Sequence, residues 1–138
     1  MQEGFEFIEH TADYAIRVTG ADFRELLSHA CTGLIALMAD TTGLSASDHR
    51  EAHVSGRDRE QVLARALKQL LYALEDGHLP IAVAVTAVGP TSAAIRIGTT
   101  PLDPVVHRVQ AAIKAVTYHA LKIEDTAGGL CVEVVLDT

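Results

Sequence analysis

FEFIEHTADYAIRV, residues 5–18, places two stretches of strand periodicity on either side of a polar junction. Phe5 and Phe7 alternate with Glu6, and Tyr14, Ile16 and Val18 alternate with Ala15, Arg17 and Thr19, so both stretches read as half-buried strands. EHTAD, residues 9–13, falls between them, where polar side chains can converge. The same alternation returns at the other end of the chain. Leu130, Val132, Val134 and Leu136 share one face of a strand over 130–137, and Cys131, Glu133, Val135 and Asp137 share the other. Asp137 therefore stands apart from the core-facing row.

Between these ends the period changes to that of helices. After Gly20, residues Phe23, Leu26, Leu27, Ala30, Leu34 and Leu37 make one face of a long amphipathic helix, and Asp22 with Glu25 forms a capping box with Asp in place of Ser or Thr. DTTGLSAS, residues 40–47, is a polar loop by composition. A short strand over 51–55 leads to a second helix from about 58 to 75. Leu63, Leu67, Leu70, Leu71 and Leu74 are its buried stripe, and Asp76-Gly77 stops it. Ile81, Val83, Val85 and Ala87 alternate with small residues, which predicts a strand covered on both faces, with residues 92–98 as its partner across the Gly89-Pro90 turn. Residues 116–124 and 130–137 read as two strands around a Gly-rich hairpin turn, DTAGG at 125–129. Two amphipathic helices among about seven strands, without regular βαβ alternation, predict a single α+β domain over residues 1–138, built on a mixed or largely antiparallel sheet.

The charge balance narrows the function classes. Eighteen Asp and Glu against 11 Lys and Arg give a formal net charge of -7. No Lys/Arg cluster exists beyond Arg57 and Arg59, so strong direct nucleic-acid binding is disfavoured, and a basic protein partner or a cation fits better. Cys31 and Cys131 lie in apolar segments without zinc or redox spacing, as buried thiols do. Met1 leads straight into the first strand pattern, unlike a signal or transit peptide, and no apolar run approaches membrane-spanning length. A soluble, cytoplasmic protein is expected. Phosphate-binding loops, the GxSxG elbow and HExxH are all missing, so self-contained nucleotide chemistry is not expected.

The carboxylates remain. Asp13 opens a strand, Asp40 ends a helix, Asp137 closes the last strand, and the α-carboxylate of Thr138 follows. If the first and last strands bring their ends together, these oxygens suit a hard cation such as Ca²⁺, Mg²⁺ or Mn²⁺. The plainer reading is that each Asp caps a turn or faces water. His10, beside Thr11 in the polar junction, and His119, on the row of Leu121 and Ile123, are structural histidines on the plainer reading and functional groups on the sharper one.

FEFIEHTAD at 5–13, LIALMADTT at 34–42, LLYAL at 70–74, IKAVTYHALKI at 113–123 and VEVVLDT at 132–138 together resemble the archease family, in order and over nearly the whole chain. The resemblance implies an accessory protein rather than an enzyme. Its implied partner is a GTP-dependent, Mn²⁺-using RNA ligase of the RtcB type, which acts in tRNA splicing and RNA repair. The accessory protein promotes guanylylation of the ligase and its repeated turnover. The alternative is a general chaperone or modulator of an RNA-modifying enzyme such as an RNA methyltransferase, and a metal-dependent hydrolase is the weakest of the three. By the same resemblance, metal-binding positions fall on Asp13, Asp137 and Thr138, with Asp40 as a further acidic position. The chain departs from the family pattern in ARALKQLLY, residues 64–72, where Ala66, Lys68 and Gln69 replace a more acidic and aromatic face, and in ending on Thr138 rather than an aliphatic residue.

Overall fold

The computed structural model describes residues 4–9, 14–103, 113–117 and 121–137. In chain order the elements are β1 (Phe5–Glu9), β2 (Tyr14–Gly20), α1 (Phe23–Met38), β3 (Asp48–Ser55), α2 (Arg59–Glu75), β4 (His78–Gly89), β5 (Ser92–Pro101), β6 (Ala115–Thr117), β7 (Glu124–Thr126) and β8 (Gly129–Asp137). They form a five-stranded sheet, ordered β1-β2-β8-β6 with β7 also on β8, and a three-stranded sheet, β3-β5-β4. Every described pairing is antiparallel. The α+β class and the two amphipathic helices are as expected, but the single sheet resolves into two.

Local chemistry explains the helices. The Asp22 carboxylate accepts from Glu25 N at 2.9 Å, and Glu25 Oε1 in turn accepts from Ala21 N at 3.1 Å, closing the box one residue early. Asp58 caps α2 in the same way, accepting from Gln61 N at 2.8 Å. All six predicted core-facing residues of α1 are buried, as are Leu63, Leu67, Leu70 and Leu71 of α2, while Leu74 is half-buried. These faces meet Ile16, Val18 and Leu136 from one sheet and Ile95 and Ile97 from the other in a single apolar cluster. Burial of that cluster is the main force holding the two sheets to the helices.

α1 folds back along β2. His29 Nδ1 lies 2.6 Å from Thr19 O, and further along the helix Gly33 packs so closely on Phe5 and Ile16 that a Cβ there would come within 3.0 Å of Phe5 Cγ. Sixteen helical residues span about 24 Å and the seven of β2 about 23 Å. The end of α1, and Asp40 beyond it, thus reach the end of the sheet where β2 begins.

Three expectations are corrected. β4 is an edge strand, and Ala82, Ala84, Thr86 and Ala87 are exposed, so it is not covered on both faces. Small residues alternating with Val read alike whether they face a neighbour or water. Register shifts between Pro80 and Ala82 and between Val85 and Ala87 break the regularity of this edge, and Arg24 Nη1 donates to its Val85 carbonyl at 2.6 Å, which blunts further pairing. Residues 116–124 are not one strand. Six residues separate Thr117 from Glu124, while only three separate their partners Val135 and Cys131 on β8, so the ladder breaks into β6 and β7. In that surplus Leu121 is buried, and Ile123 N donates to Glu60 Oε2 of α2 at 3.0 Å, so core burial and a helix-borne carboxylate replace ladder bonds. Finally, Cys131 is half-buried on the outer row of β8, whereas Cys31 is buried as expected. Smaller differences are that β3 begins at Asp48 and that the last hairpin turns tightly through Ala127 and Gly128.

Candidate functional site

Antiparallel pairing of β2 with β8 seats Tyr14 opposite Leu136 and Gly20 opposite Leu130. The start of β2 and the end of β8 therefore lie side by side. EHTAD is joined directly to the first, and Asp137 closes the second. His10, Asp13, His119 and Thr138 fall outside the described residues.

The described frame is well fixed. Leu136 is fully buried between Tyr14 on β2 and Val116 on β6, and with Val132 and Val134 it makes the buried row whose pattern specifies the register of β8. Ala115 stands opposite Asp137, and Lys114 N donates to Asp137 O at 2.8 Å, carrying the ladder one step past β6. The Asp137 side chain points to the other face and is exposed. Its Oδ1 accepts from Thr117 Oγ1 at 3.2 Å, and among the described residues no Lys or Arg is ion-paired with it.

Asp40 occupies the same end of the fold but is engaged locally. Its Oδ1 accepts from Thr42 N at 3.0 Å, and the Thr42 hydroxyl and amide together hold the carboxyl below the ordinary carboxylate range. It is a turn-capping Asp of the kind the plainer reading describes. No hydrogen bond or ion pair joins it to Asp137. Among the described residues, no group of three or more His, Cys, Asp and Glu is placed to hold a metal ion.

Sequence reasoning missed Thr117 as the partner that orients Asp137, because only the β6–β8 register brings the two together. It also missed a concavity of about 430 Å³ at the β6–β7 break, lined by Arg17, Thr117, Lys122, Glu124, Cys131 and Glu133 among others. Arg17 is engaged there by Glu6 at 2.8 Å and Glu133 at 3.9 Å. No periodicity signals a surplus of three residues in one strand of a pair.

The sequence profile of the Archease protein family (MTH1598/TM1083) matches residues 5–138. A protein archease from Saccharolobus islandicus is 30% identical over 135 residues, covering 96% of this chain and 97% of that protein. One from Sulfurisphaera tokodaii is 28% identical with the same coverage. The solution structure of Methanobacterium thermoautotrophicum protein 1598 aligns with a TM-score of 0.78 at 25% identity, covering 99% of this chain and 100% of that one. The crystal structure of a Thermotoga maritima archease, described as a possible chaperone, shares the fold with a TM-score of 0.67 at 24% identity, covering 95% and 94%.

Proposed function

Because the chain belongs to the archease family, we propose that it is an accessory protein that activates an RtcB-type, GTP-dependent RNA ligase of tRNA splicing and RNA repair. It promotes guanylylation of the ligase and its repeated turnover, and has no catalytic activity of its own. Asp13, Asp137 and the α-carboxylate of Thr138 would hold a divalent cation, Ca²⁺, Mg²⁺ or Mn²⁺. The observation that carries this reading is the Tyr14–Leu136 pairing, since the residues adjoining that pair in sequence are Asp13 on one strand and Asp137 on the other.

The donor chemistry fits a hard cation. Asp137 is exposed at a strand end, held on one oxygen by Thr117 and on its backbone by Lys114, with no described cation competing for it. A bound cation supplies positive charge with which phosphate oxygens can be organised. The chain's own contribution is to concentrate and orient: Thr117 aims the carboxylate, and Asp40 keeps a negative charge at the same end of the fold. His10 and His119 are further functional residues on this reading. The net charge of -7 favours docking on an enzyme whose RNA-handling surface is basic, with the nucleophile on the ligase. No helix among the described residues is long and apolar enough to cross a membrane, and a cytoplasmic location goes with this partner. The possible-chaperone description of the Thermotoga maritima protein supports a second reading, a chaperone or modulator of an RNA-modifying enzyme such as a methyltransferase.

The test is a guanylylation and multiple-turnover joining assay with the cognate ligase, GTP and Mn²⁺. Wild type is expected to stimulate, and folded Asp13→Ala and Asp137→Asn are expected not to. A folded wild type without effect refutes the ligase reading.

A further inference from the structure

Strand β6 has three residues, and each has a different task. Val116 is 4% exposed and belongs to the core. Ala115 stands opposite Asp137 on the other face of the sheet and carries no atom beyond Cβ, so it does not crowd that carboxylate. Thr117, opposite Val135, shares the face of Ala115 and Asp137 and is a diagonal neighbour of Asp137. Its Oγ1 donates to Asp137 Oδ1 at 3.2 Å. This hydroxyl is the one polar side-chain group that β6 brings to that face.

A strand threonine needs no purpose beyond the fit of its branched side chain to a pleated surface. The acceptor sets Thr117 apart. Thr32 and Thr86 donate to the main-chain carbonyls of Ser28 and Ala94, as side-chain groups commonly do. Thr117 donates instead to an exposed side-chain carboxylate that closes its strand and has no Lys or Arg ion-paired with it among the described residues. Both partners are held from behind. Lys114 N donates to Asp137 O at 2.8 Å, and beyond the ladder break Leu121 is buried and Ile123 N donates to Glu60 Oε2 of α2 at 3.0 Å, so the chain is fixed on both sides of Thr117. A branched side chain on such a backbone has few rotamers. An exposed aspartate at a strand end is otherwise free to rotate, and a cation that binds it must stop that rotation. A hydroxyl bonded to one of its oxygens has stopped it in advance. Among the described residues, Asp137 Oδ2 accepts no hydrogen bond.

We propose that Thr117 is the positioning residue of the cation site: its hydroxyl holds Asp137 Oδ1 and leaves Oδ2 as the oxygen that meets a divalent cation. This role rests on the cation site proposed above and names what sets its affinity. Groups that orient a metal ligand through a hydrogen bond commonly account for about 10–100-fold in metal affinity.

The experiment titrates Mn²⁺ alone into the full chain by calorimetry, with the metal-free fold of each variant checked by thermal melt. Asp137→Asn is expected to lose binding. Thr117→Val keeps the shape of the side chain and deletes the hydroxyl, and is expected to bind about 10–100-fold more weakly. Thr117→Ser restores the donor and is expected to recover most of the affinity, which a purely structural role of the threonine would not require. A folded Thr117→Val of wild-type affinity, beside an Asp137→Asn that has lost binding, overturns the role of Thr117 and leaves the cation site intact. Equal losses in Thr117→Val and Thr117→Ser also overturn it, because the hydroxyl is then not the cause. A wild type that binds no Mn²⁺, or an Asp137→Asn that binds as the wild type does, overturns both the role and the site. Should Thr117→Val fail to fold, Thr117→Ala is read in its place.

Discussion

Leu136→Ala tests the pairing on which the candidate site rests. Leu136 is 0% exposed and lies between Tyr14 and Val116 on flanking strands, one residue before Asp137. Truncating its isobutyl group to methyl removes three buried carbons, about 2.4 kcal/mol at roughly 0.8 kcal/mol for each. The cavity left behind adds to this, and Leu→Ala substitutions in rigid cores span about 2–5 kcal/mol. The position is close to the end of β8, where the backbone can relax into part of the void, which favours the lower half of that range, about 2–3 kcal/mol. A chain of 138 residues has a stability on the order of 7–20 kcal/mol, so the variant stays folded. Urea unfolding followed by far-UV circular dichroism should show a lower midpoint with an unchanged slope. A loss under about 1 kcal/mol would refute the reasoning, because Leu136 would then not be a buried tie between β2, β8 and β6.

Other outcomes follow from the turn and the thiols. Gly129 has φ +142°, and a Cβ there would run into the Gly20 carbonyl, whereas a Cβ on Gly128 meets nothing within 4 Å. Gly129→Ala should cost about 1–3 kcal/mol and Gly128→Ala under about 0.5 kcal/mol; equal costs in urea unfolding would contradict the close approach of the turn to the end of β2. Burial pushes the Cys31 thiol up to about 12 from an ordinary value of 9.0, while Cys131 is half-exposed. A maleimide should label Cys131 in the native protein and Cys31 only on unfolding, and equal labelling rates would rule this out. Because the folded value of Cys31 is the raised one, its contribution to stability is complete below pH 9 and is lost as pH climbs from 9 toward 12. Cys31→Ala should remove that part of the alkaline loss, as pH-dependent urea midpoints would show; an undiminished alkaline loss in the variant would mean that Cys31 is not its source.

The sequence by itself determined the local elements and their buried faces. The caps at Asp22 and Asp58 join residues three apart, and the apolar stripes of α1, α2 and β8 follow the periods of the helix and the strand, so no distant residue is needed to place them. It also determined which side chains can serve as hard ligands, Asp13, Asp40 and Asp137, and that Asp137 points away from the core. Tertiary structure alone decided the partners. The division into two sheets, the exposure of β4, the break between β6 and β7 and the pairing of Thr117 with Asp137 all depend on which strands meet across long stretches of chain. Apolar burial has no direction of its own. A pattern therefore tells which face leaves water, while what that face meets, and hence which chain ends are brought side by side, is set by how all the buried faces fit together at once.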